Sequence, residues 1–243
     1  YFMLTEMAEI ARILNKEEDA KRFETYANKA KFGYQHLIEC PKFSLDTNRQ
    51  AKLVRPLYMH LLNEEKEKYA EKRLLEALDF FGWKLGTGFL STPFILYVLE
   101  KMDIEYAYRL LENEKMPGWL FMPKMGANTI WESWEGTEAQ GGIASLDHYS
   151  KGALIEWVFS RMCGIQISGE NEFEISPEIG GHFTYAECSY QSIYGLVRSK
   201  WEVVRNMVKY HFSIPSNTKA KITLPNGTYH VGAGEYDYLV KKK

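Results

Sequence analysis

The sequence has little of what marks several common protein classes. Its three cysteines, Cys40, Cys163 and Cys188, are far apart and odd in number. Neither a disulfide framework nor a cysteine metal site is therefore expected. No apolar run reaches the roughly 18 residues that a membrane-spanning helix needs. The net charge is −2, and the lysines at positions 241–243 form the only basic run, which argues against a nucleic-acid partner.

The remaining composition is typical of a globular protein that can fill a core. Hydrophobic residues make up 45% of the 243 positions and charged residues 26%. Aromatic residues reach 14%, which suits a large aromatic core and also a sugar-binding cleft, where rings pack on the apolar face of a pyranose. The chain opens with Tyr1, directly in an amphipathic pattern, so we expect the polypeptide to extend upstream of it, where any targeting segment would lie. Whether the compartment is cytoplasmic or extracytoplasmic stays open.

The first two-thirds of the chain has helical periodicity. Residues 17–39 carry apolar side chains at steps of three and four. Further helices are predicted over residues 48–62, 64–81, 92–102 and 103–113, with Asp103 as the N-cap of the last. A final long helix is predicted over residues 145–163, and its predicted buried residues are Leu146, Tyr149, Ala153 and Trp157.

The periodicity changes after Gly164, where short β-rich runs alternate with turn residues. Strands are predicted at residues 173–175, 183–186, 196–204, 207–214 and 220–224, and a domain boundary near residue 165. No 34- or 40-residue repeat is present, which disfavours a solenoid. An α/α toroid also uses antiparallel helical hairpins, but about seven helices are too few to close one of twelve. Open apolar helix faces would then favour self-association of these residues alone.

Residues 117–142 form the segment that is richest in side chains able to bind a substrate or take part in a reaction. A loop of this length in a compact domain is usually functional or disordered, and this one is too rich in tryptophan and methionine to be disordered. Three of the six tryptophans, Trp119, Trp131 and Trp134, lie in it. These indole rings are predicted to contact substrate.

Glycoside hydrolysis usually needs two carboxyl groups. Glu132 lies between Trp131 and Trp134, whose apolar surface would desolvate its carboxylate and favour a general base. A competing interpretation has Glu132 bind backbone donors at a helix N-terminus. A local pair with Glu135, about 5–6 Å away on a helical turn, would suit a retaining mechanism better than an inverting one, although Glu135 could also face solvent.

An ordered set of motifs resembles the distal part of the catalytic domain of bacterial α-L-rhamnosidases. The set comprises Thr-Gly-Phe-Leu-Ser-Thr-Pro at 87–93, residues 107–111, Met-Pro-Gly-Trp at 116–119, Gly-Ala-Asn-Thr-Ile-Trp-Glu-Ser-Trp at 126–134, Asp-His-Tyr at 147–149 and Gly-Ala at 152–153. Residues 190–225 similarly resemble the β-sandwich that closes those enzymes. The resemblance covers nearly the whole chain, in order.

The resemblance implies an α+β multidomain protein. Residues 1–164 would be the C-terminal part of an (α/α)6 catalytic barrel, and residues 165–243 a small antiparallel β-sandwich. It also implies hydrolysis of a terminal rhamnosyl glycoside or oligosaccharide with inversion, without a cofactor or metal. Glu132 would be the general base, and His148 would contact the sugar. A lone histidine on a helix is otherwise more often structural.

Three positions depart from the family pattern. Ser133 stands where the family has arginine, Asp147 where it has asparagine, and Lys84 where it has histidine. The family's general acid lies in an Arg-Asp-Glu-Arg-containing motif, which is absent from residues 1–243. These departures leave two alternatives open: a non-catalytic carbohydrate-binding or scaffold protein, and a helical-barrel glycosidase for another sugar.

Overall fold

The computed structural model describes residues 1–139 and 144–242, in which helices come first and strands follow. The predicted loop at 117–142 and the terminal lysine run at 241–243 therefore lie partly outside the described residues. The helices are α1 (Phe2–Ile13), α2 (Glu17–Leu37), α3 (Gln50–Tyr58), α4 (Glu64–Phe80), α5 (Thr92–Met102), α6 (Ile104–Leu111), α7 (Phe121–Lys124), α8 (Tyr149–Gly152) and α9 (Leu154–Trp157). Short 3-10 turns occupy Pro41–Phe43 and Gly136–Glu138, and a π-helical turn occupies Val158–Met162.

Antiparallel helical hairpins build the first part of the chain, as predicted. Helix α1 packs on α2, α3 on α4, and α5 on α6, while α3 and α9 both contact α5. Side chains cap two of these helices: Asn63 accepts a hydrogen bond from the Lys66 amide, and Asp103 accepts one from the Glu105 amide. The predicted Asp103 cap is thereby confirmed. Helix α4 buries the stripe Ala70, Leu74, Ala77 and Leu78, whereas Phe81, which the periodicity also predicts to point inward, is 40% exposed.

The prediction of one long helix over residues 145–163 is wrong. The helix begins at Tyr149, is interrupted at Ala153 and ends in the π-helical turn. Leu146 and Tyr149, predicted to be buried, are exposed, Tyr149 to 83%. The cause is local: the His148 side chain caps α8 at the Ser150 amide, and the residues before it form hydrogen bonds with the preceding loop. Trp157 is buried as expected.

Within the described residues, eight strands form two four-stranded sheets. The strands are β1 (Ile165–Gly169), β2 (Glu172–Ile175), β3 (Tyr185–Ser192), β4 (Gly195–Val204), β5 (Met207–Ile214), β6 (Lys219–Leu224), β7 (Gly227–Val231) and β8 (Gly234–Lys241). Their orders are β1-β2-β6-β7 and β3-β4-β5-β8. The strand pairs are antiparallel except β2 with β6, which is parallel. The α+β class is confirmed; the parallel pair and β1, β7 and β8 were not predicted.

The helical part and the sheets share one hydrophobic core. Strand β4 is tied to the end of the helical part by two buried side chains: the Trp201 indole donates to the Met162 carbonyl at 2.8 Å, and the Ser199 hydroxyl donates to the Cys163 carbonyl at 2.6 Å. A second tie comes from Glu112, directly after α6. Its carboxylate accepts a hydrogen bond from the His182 amide. The sheets therefore stabilise the last turns of the helical part.

Helix α1 presents an apolar face to solvent. Its buried side consists of Ala8 and Ala11, while the opposite side exposes Met3, Met7, Ile10, Ile13 and, just past the helix, Leu14. Across residues 1–139 and 144–242, no helix combines the length and apolarity required to cross a membrane.

Gly164, between the π-helical turn and β1, provides a test of this junction. Its φ is +75°, and a Cβ there would lie 2.2 Å from the Ser176 carbonyl carbon and 2.3 Å from the Pro177 nitrogen. Because backbone atoms block the space, we expect Gly164→Ala to lower the free energy of unfolding by more than about 1 kcal/mol. Urea denaturation followed by circular dichroism measures the change.

Gly82→Ala is the matched control for the strained dihedral angle alone. Gly82 has a similar φ of +67°, but no atom lies within 4 Å of its built Cβ. We expect Gly82→Ala to lower the free energy of unfolding clearly less than Gly164→Ala does. Equal losses in the two variants would show that the close approach to residues 176–177 does not matter.

Candidate active site

Two irregular chain segments run side by side. One carries Glu132 and the other carries His148, the two residues predicted to be the general base and a sugar contact. The Glu132 amide donates to the Ser145 carbonyl at 2.8 Å, and the His148 amide donates to the Ile130 carbonyl at 2.8 Å. Residues 129–132 and 145–148 therefore form a short paired segment at the N-terminal end of α8. Sequence periodicity gave no sign of this pairing, because both stretches lie outside regular elements.

Glu132 is partly buried as a residue, and its carboxylate is held by the segment paired with it. Its Oε2 accepts a hydrogen bond from the Ser145 amide at 3.0 Å. Glu132 lies in no helix, so the interpretation that it caps a helix N-terminus is wrong, although it does bind a backbone donor. One fixed carboxylate oxygen orients the group, which is what a general base requires.

Lys151 is a buried cation at the site that sequence reasoning missed. It is 6% exposed, its ammonium donates to the Glu132 carbonyl, and it lies 3.8 Å from the centroid of the Trp134 ring. Burial lowers the pKa of Lys151 to about 8, while Glu135 and Glu132 act in the opposite direction. No sequence signal marked it, because His148 has an extended backbone just before α8 and Lys151 becomes buried only through tertiary contacts.

His148 is fixed by two aromatic contacts and by the start of α8. Its ring stacks on Phe89 at 4.8 Å and on Tyr149 at 5.0 Å between centroids. Its Nδ1 accepts a hydrogen bond from the Ser150 amide at 3.2 Å. Because Nδ1 accepts, Nε2 carries the ring proton and can donate to a ligand oxygen.

The three predicted tryptophans occupy different environments. Trp131 and Trp134 are half-buried, and the Trp131 ring packs directly over Gly136, where a Cβ would lie 2.7 Å from ring atoms. Trp119 is only 3% exposed, and its indole donates to the Lys151 carbonyl at 2.9 Å. Sugar contact by Trp119 stays a prediction, and its place in the core favours support of Lys151.

Glu135 is exposed and has a neighbour that keeps it ionised. The Ser133 hydroxyl donates to its carboxylate, and this hydrogen bond lowers the pKa of Glu135. A general acid needs a proton at neutral pH, so the lowered pKa argues against Glu135 as the acid partner of Glu132. Ser133, which replaces the arginine of the family pattern, thus pairs with Glu135.

Two cavities lie at the other end of the helices. They have volumes of about 620 and 920 Å3 and share Tyr58, Tyr97, Glu100 and Arg161 as lining residues. Phe89, just before α5, contacts the candidate site, whereas Glu100 lies at the C-terminal end of α5. Burial raises the pKa of Glu100, but its carboxylate accepts the Trp157 indole at 2.6 Å and lies 2.8 Å from Arg161 Nε. An ion pair of this kind is a structural tie between helices.

Two of the three cysteines contact each other, and none lies in a metal-binding cluster of the described residues. All three are free, with Cys40 exposed and Cys163 and Cys188 buried. A hydrogen bond between the two buried thiols, with burial, raises the pKa of Cys163, which makes it a poor nucleophile. Within residues 1–139 and 144–242, no cluster of three or more His, Cys, Asp or Glu side chains is arranged to hold a metal ion.

Two family models match the chain. The bacterial alpha-L-rhamnosidase 6 hairpin glycosidase domain matches residues 1–162, and the bacterial alpha-L-rhamnosidase C-terminal domain matches residues 166–238. An alpha-L-rhamnosidase of Formosa agariphila is 33% identical over 227 residues, which are 90% of this chain and 24% of that protein.

Solved structures give the same result. The alpha-L-rhamnosidase from Dictyoglumus thermophilum aligns with a TM-score of 0.86 at 25% identity, over 98% of this chain and 31% of that one. The Streptomyces avermitilis alpha-L-rhamnosidase complexed with L-rhamnose aligns with a TM-score of 0.82 at 27% identity, over 96% of this chain and 25% of that one. The chain thus spans about a quarter to a third of the length of these relatives.

Gly136→Ala tests the packing of the loop around Trp131. The φ of Gly136 is +58°, and the added Cβ would overlap the indole of Trp131. Because the ring must move, we expect a changed near-ultraviolet circular dichroism spectrum and a lower melting temperature. Gly126→Ala is the matched control, since Gly126 has a φ of +84° but open space around its Cβ. Identical spectra for Gly136→Ala and the parent would contradict the packing.

Proposed function

The chain belongs to the bacterial α-L-rhamnosidase family, and we propose that the polypeptide containing it hydrolyses terminal α-L-rhamnosides with inversion. The observation that carries the proposal is the carboxylate of the partly buried Glu132, which the Ser145 amide holds beside the His148 segment. The complex of the Streptomyces avermitilis relative with L-rhamnose supports the choice of sugar. Residues 1–164 would form part of the catalytic barrel, and residues 165–243 the closing β-sandwich.

Glu132 would act as the general base. Its carboxylate takes a proton from a water molecule, and the water oxygen attacks the anomeric carbon from the face opposite the leaving group. An acid elsewhere in the polypeptide protonates the leaving oxygen, about 6.5–9.5 Å from the base in an inverting enzyme. By resemblance that acid belongs to the Arg-Asp-Glu-Arg-containing motif, which residues 1–243 do not contain.

The other side chains of the site would bind the sugar. His148 Nε2 is free of the Ser150 contact and would donate to a rhamnose hydroxyl. Trp131 and Trp134 would offer apolar ring surface to the sugar's C–H face. Binding of this kind orients the anomeric carbon toward the activated water.

A non-catalytic carbohydrate-binding role is the second candidate. One specific observation favours it. The hydrogen bond from Ser133 lowers the pKa of Glu135, so Glu135 does not serve Glu132 as a nearby general acid. Calorimetry with L-rhamnose, paired with an assay on an aryl α-L-rhamnoside, separates the two candidates. Binding without turnover in the complete polypeptide would favour the second, and a panel of aryl glycosides would identify a different sugar preference.

Glu132→Gln tests the general base directly. The amide cannot take a proton from water, so we expect kcat on an aryl α-L-rhamnoside to fall about 100-fold or more, with a small change in KM. Glu138→Gln is the matched control, because Glu138 is an exposed carboxylate of the same loop. Turnover near the parent value in Glu132→Gln would remove Glu132 from the mechanism.

The α1 face generates a prediction about association. We expect a 243-residue polypeptide of this sequence to self-associate and bind a hydrophobic dye, because Met3, Ile10 and Ile13 form an exposed apolar stripe. Ile10→Lys should weaken both effects in light scattering and dye fluorescence. Ile193→Lys, at a 90% exposed position in the β3–β4 turn, should change neither. A clean monomer that binds no dye would contradict the expectation.

A further inference from the structure

We propose that Lys151 is a positioning residue whose ammonium, held on the Trp134 ring, fixes the Glu132 peptide so that the carboxylate faces its water. The inference rests on the proposed function of Glu132. Its basis is two contacts of one buried side chain. The Lys151 ammonium donates a hydrogen bond to the Glu132 carbonyl, and it lies 3.8 Å from the centroid of the Trp134 ring. No part of the mechanism above uses this group.

The backbone of Lys151 is itself anchored. Its carbonyl accepts the buried Trp119 indole at 2.9 Å, and the turn that carries it begins at the His148 cap on the Ser150 amide. The lysine stem therefore starts from a fixed point in the core. An anchored stem and a stacked ammonium restrict the position of the Glu132 carbonyl, and the Ser145 amide restricts one carboxylate oxygen. Two independent contacts thus orient the residue from both ends.

The positioning depends on the charge of Lys151. An ammonium is attracted to the face of an indole, and a neutral amine is not. Burial lowers the pKa of Lys151 to about 8, against the effect of Glu135 and Glu132, the charged groups that act on it from the loop. Helix α5 packs against α8, but its only charged residues, Glu100 and Lys101, lie at its far end. The contact is therefore intact below about pH 8 and lost as pH rises through that value.

The test compares Lys151→Met and Lys151→Arg in the polypeptide that contains residues 1–243. We expect Lys151→Met to lower kcat on an aryl α-L-rhamnoside about tenfold or more, with KM within about threefold, because orientation of the base affects the chemical step. Lys151→Arg should recover most of that loss. We expect kcat of the parent to fall near pH 8, and we expect no such fall in Lys151→Arg, since arginine stays charged.

A second readout does not depend on catalysis. Tryptophan fluorescence of the parent should change with a midpoint near pH 8 as the ammonium over Trp134 loses its proton. The transition should disappear in Lys151→Met, in Lys151→Arg and in Trp134→Phe. Lys124→Met is the matched control, because Lys124 is an exposed lysine paired with Glu114, and it should leave fluorescence and kcat unchanged.

The outcomes separate this inference from the function on which it rests. A parent that shows the fluorescence transition but no rhamnoside hydrolysis would overturn the proposed function. Parent-like kcat and pH dependence in Lys151→Met would overturn the positioning role while the function stands. A parent without the transition near pH 8, or a transition that persists in Lys151→Met, would overturn the assigned contact with Trp134.

Discussion

The pairing of residues 129–132 with residues 145–148 is the constraint on which the candidate site depends. It consists of two backbone hydrogen bonds, one bond from the Ser145 amide to the Glu132 carboxylate and one from the Thr129 hydroxyl to the Leu146 carbonyl. A hydrogen bond contributes only about 1 kcal/mol net, so four bonds alone could not hold an exposed loop. The pairing must draw its rigidity from the core, and Lys151 is the residue that connects the two.

That connection runs through buried groups. Trp119 lies in the core and binds the Lys151 carbonyl, while the Lys151 ammonium reaches the Glu132 carbonyl and the Trp134 ring. A buried ammonium without partners would be costly, and here a carbonyl and an indole face compensate for lost water. On the far side, Phe89 stacks on His148 and ties the pairing to the start of α5. The site is thus supported by α8 and by the turn before α5 as well as by its own loop.

Much of the fold followed from the sequence, and the exceptions have physical causes. Helix α5 has its predicted bounds, and α4 and α6 lie close to theirs, because their apolar periods and caps are local signals. The helix predicted at 145–163 failed since its first residues pair with a loop distant in sequence. Strands β7 and β8 carry partly exposed aromatic and charged residues. They become strands by pairing with β6 and β5, and that pairing leaves no local sequence signal. The resemblance selected Glu132 and His148, whereas a lysine that becomes buried only through tertiary contacts left no pattern.

The substitution at position 133 illustrates how one departure can redistribute charge. By resemblance an arginine follows the catalytic glutamate, and its guanidinium would stay charged at any working pH. Ser133 instead donates to Glu135 and leaves that carboxylate in solvent. The cation that contacts Glu132 through its carbonyl comes from α8, as Lys151, and its pKa is near 8. An arginine-to-lysine exchange across two elements would keep a positive charge near the base but make it sensitive to pH, because only the lysine can lose its proton in the neutral-to-basic range.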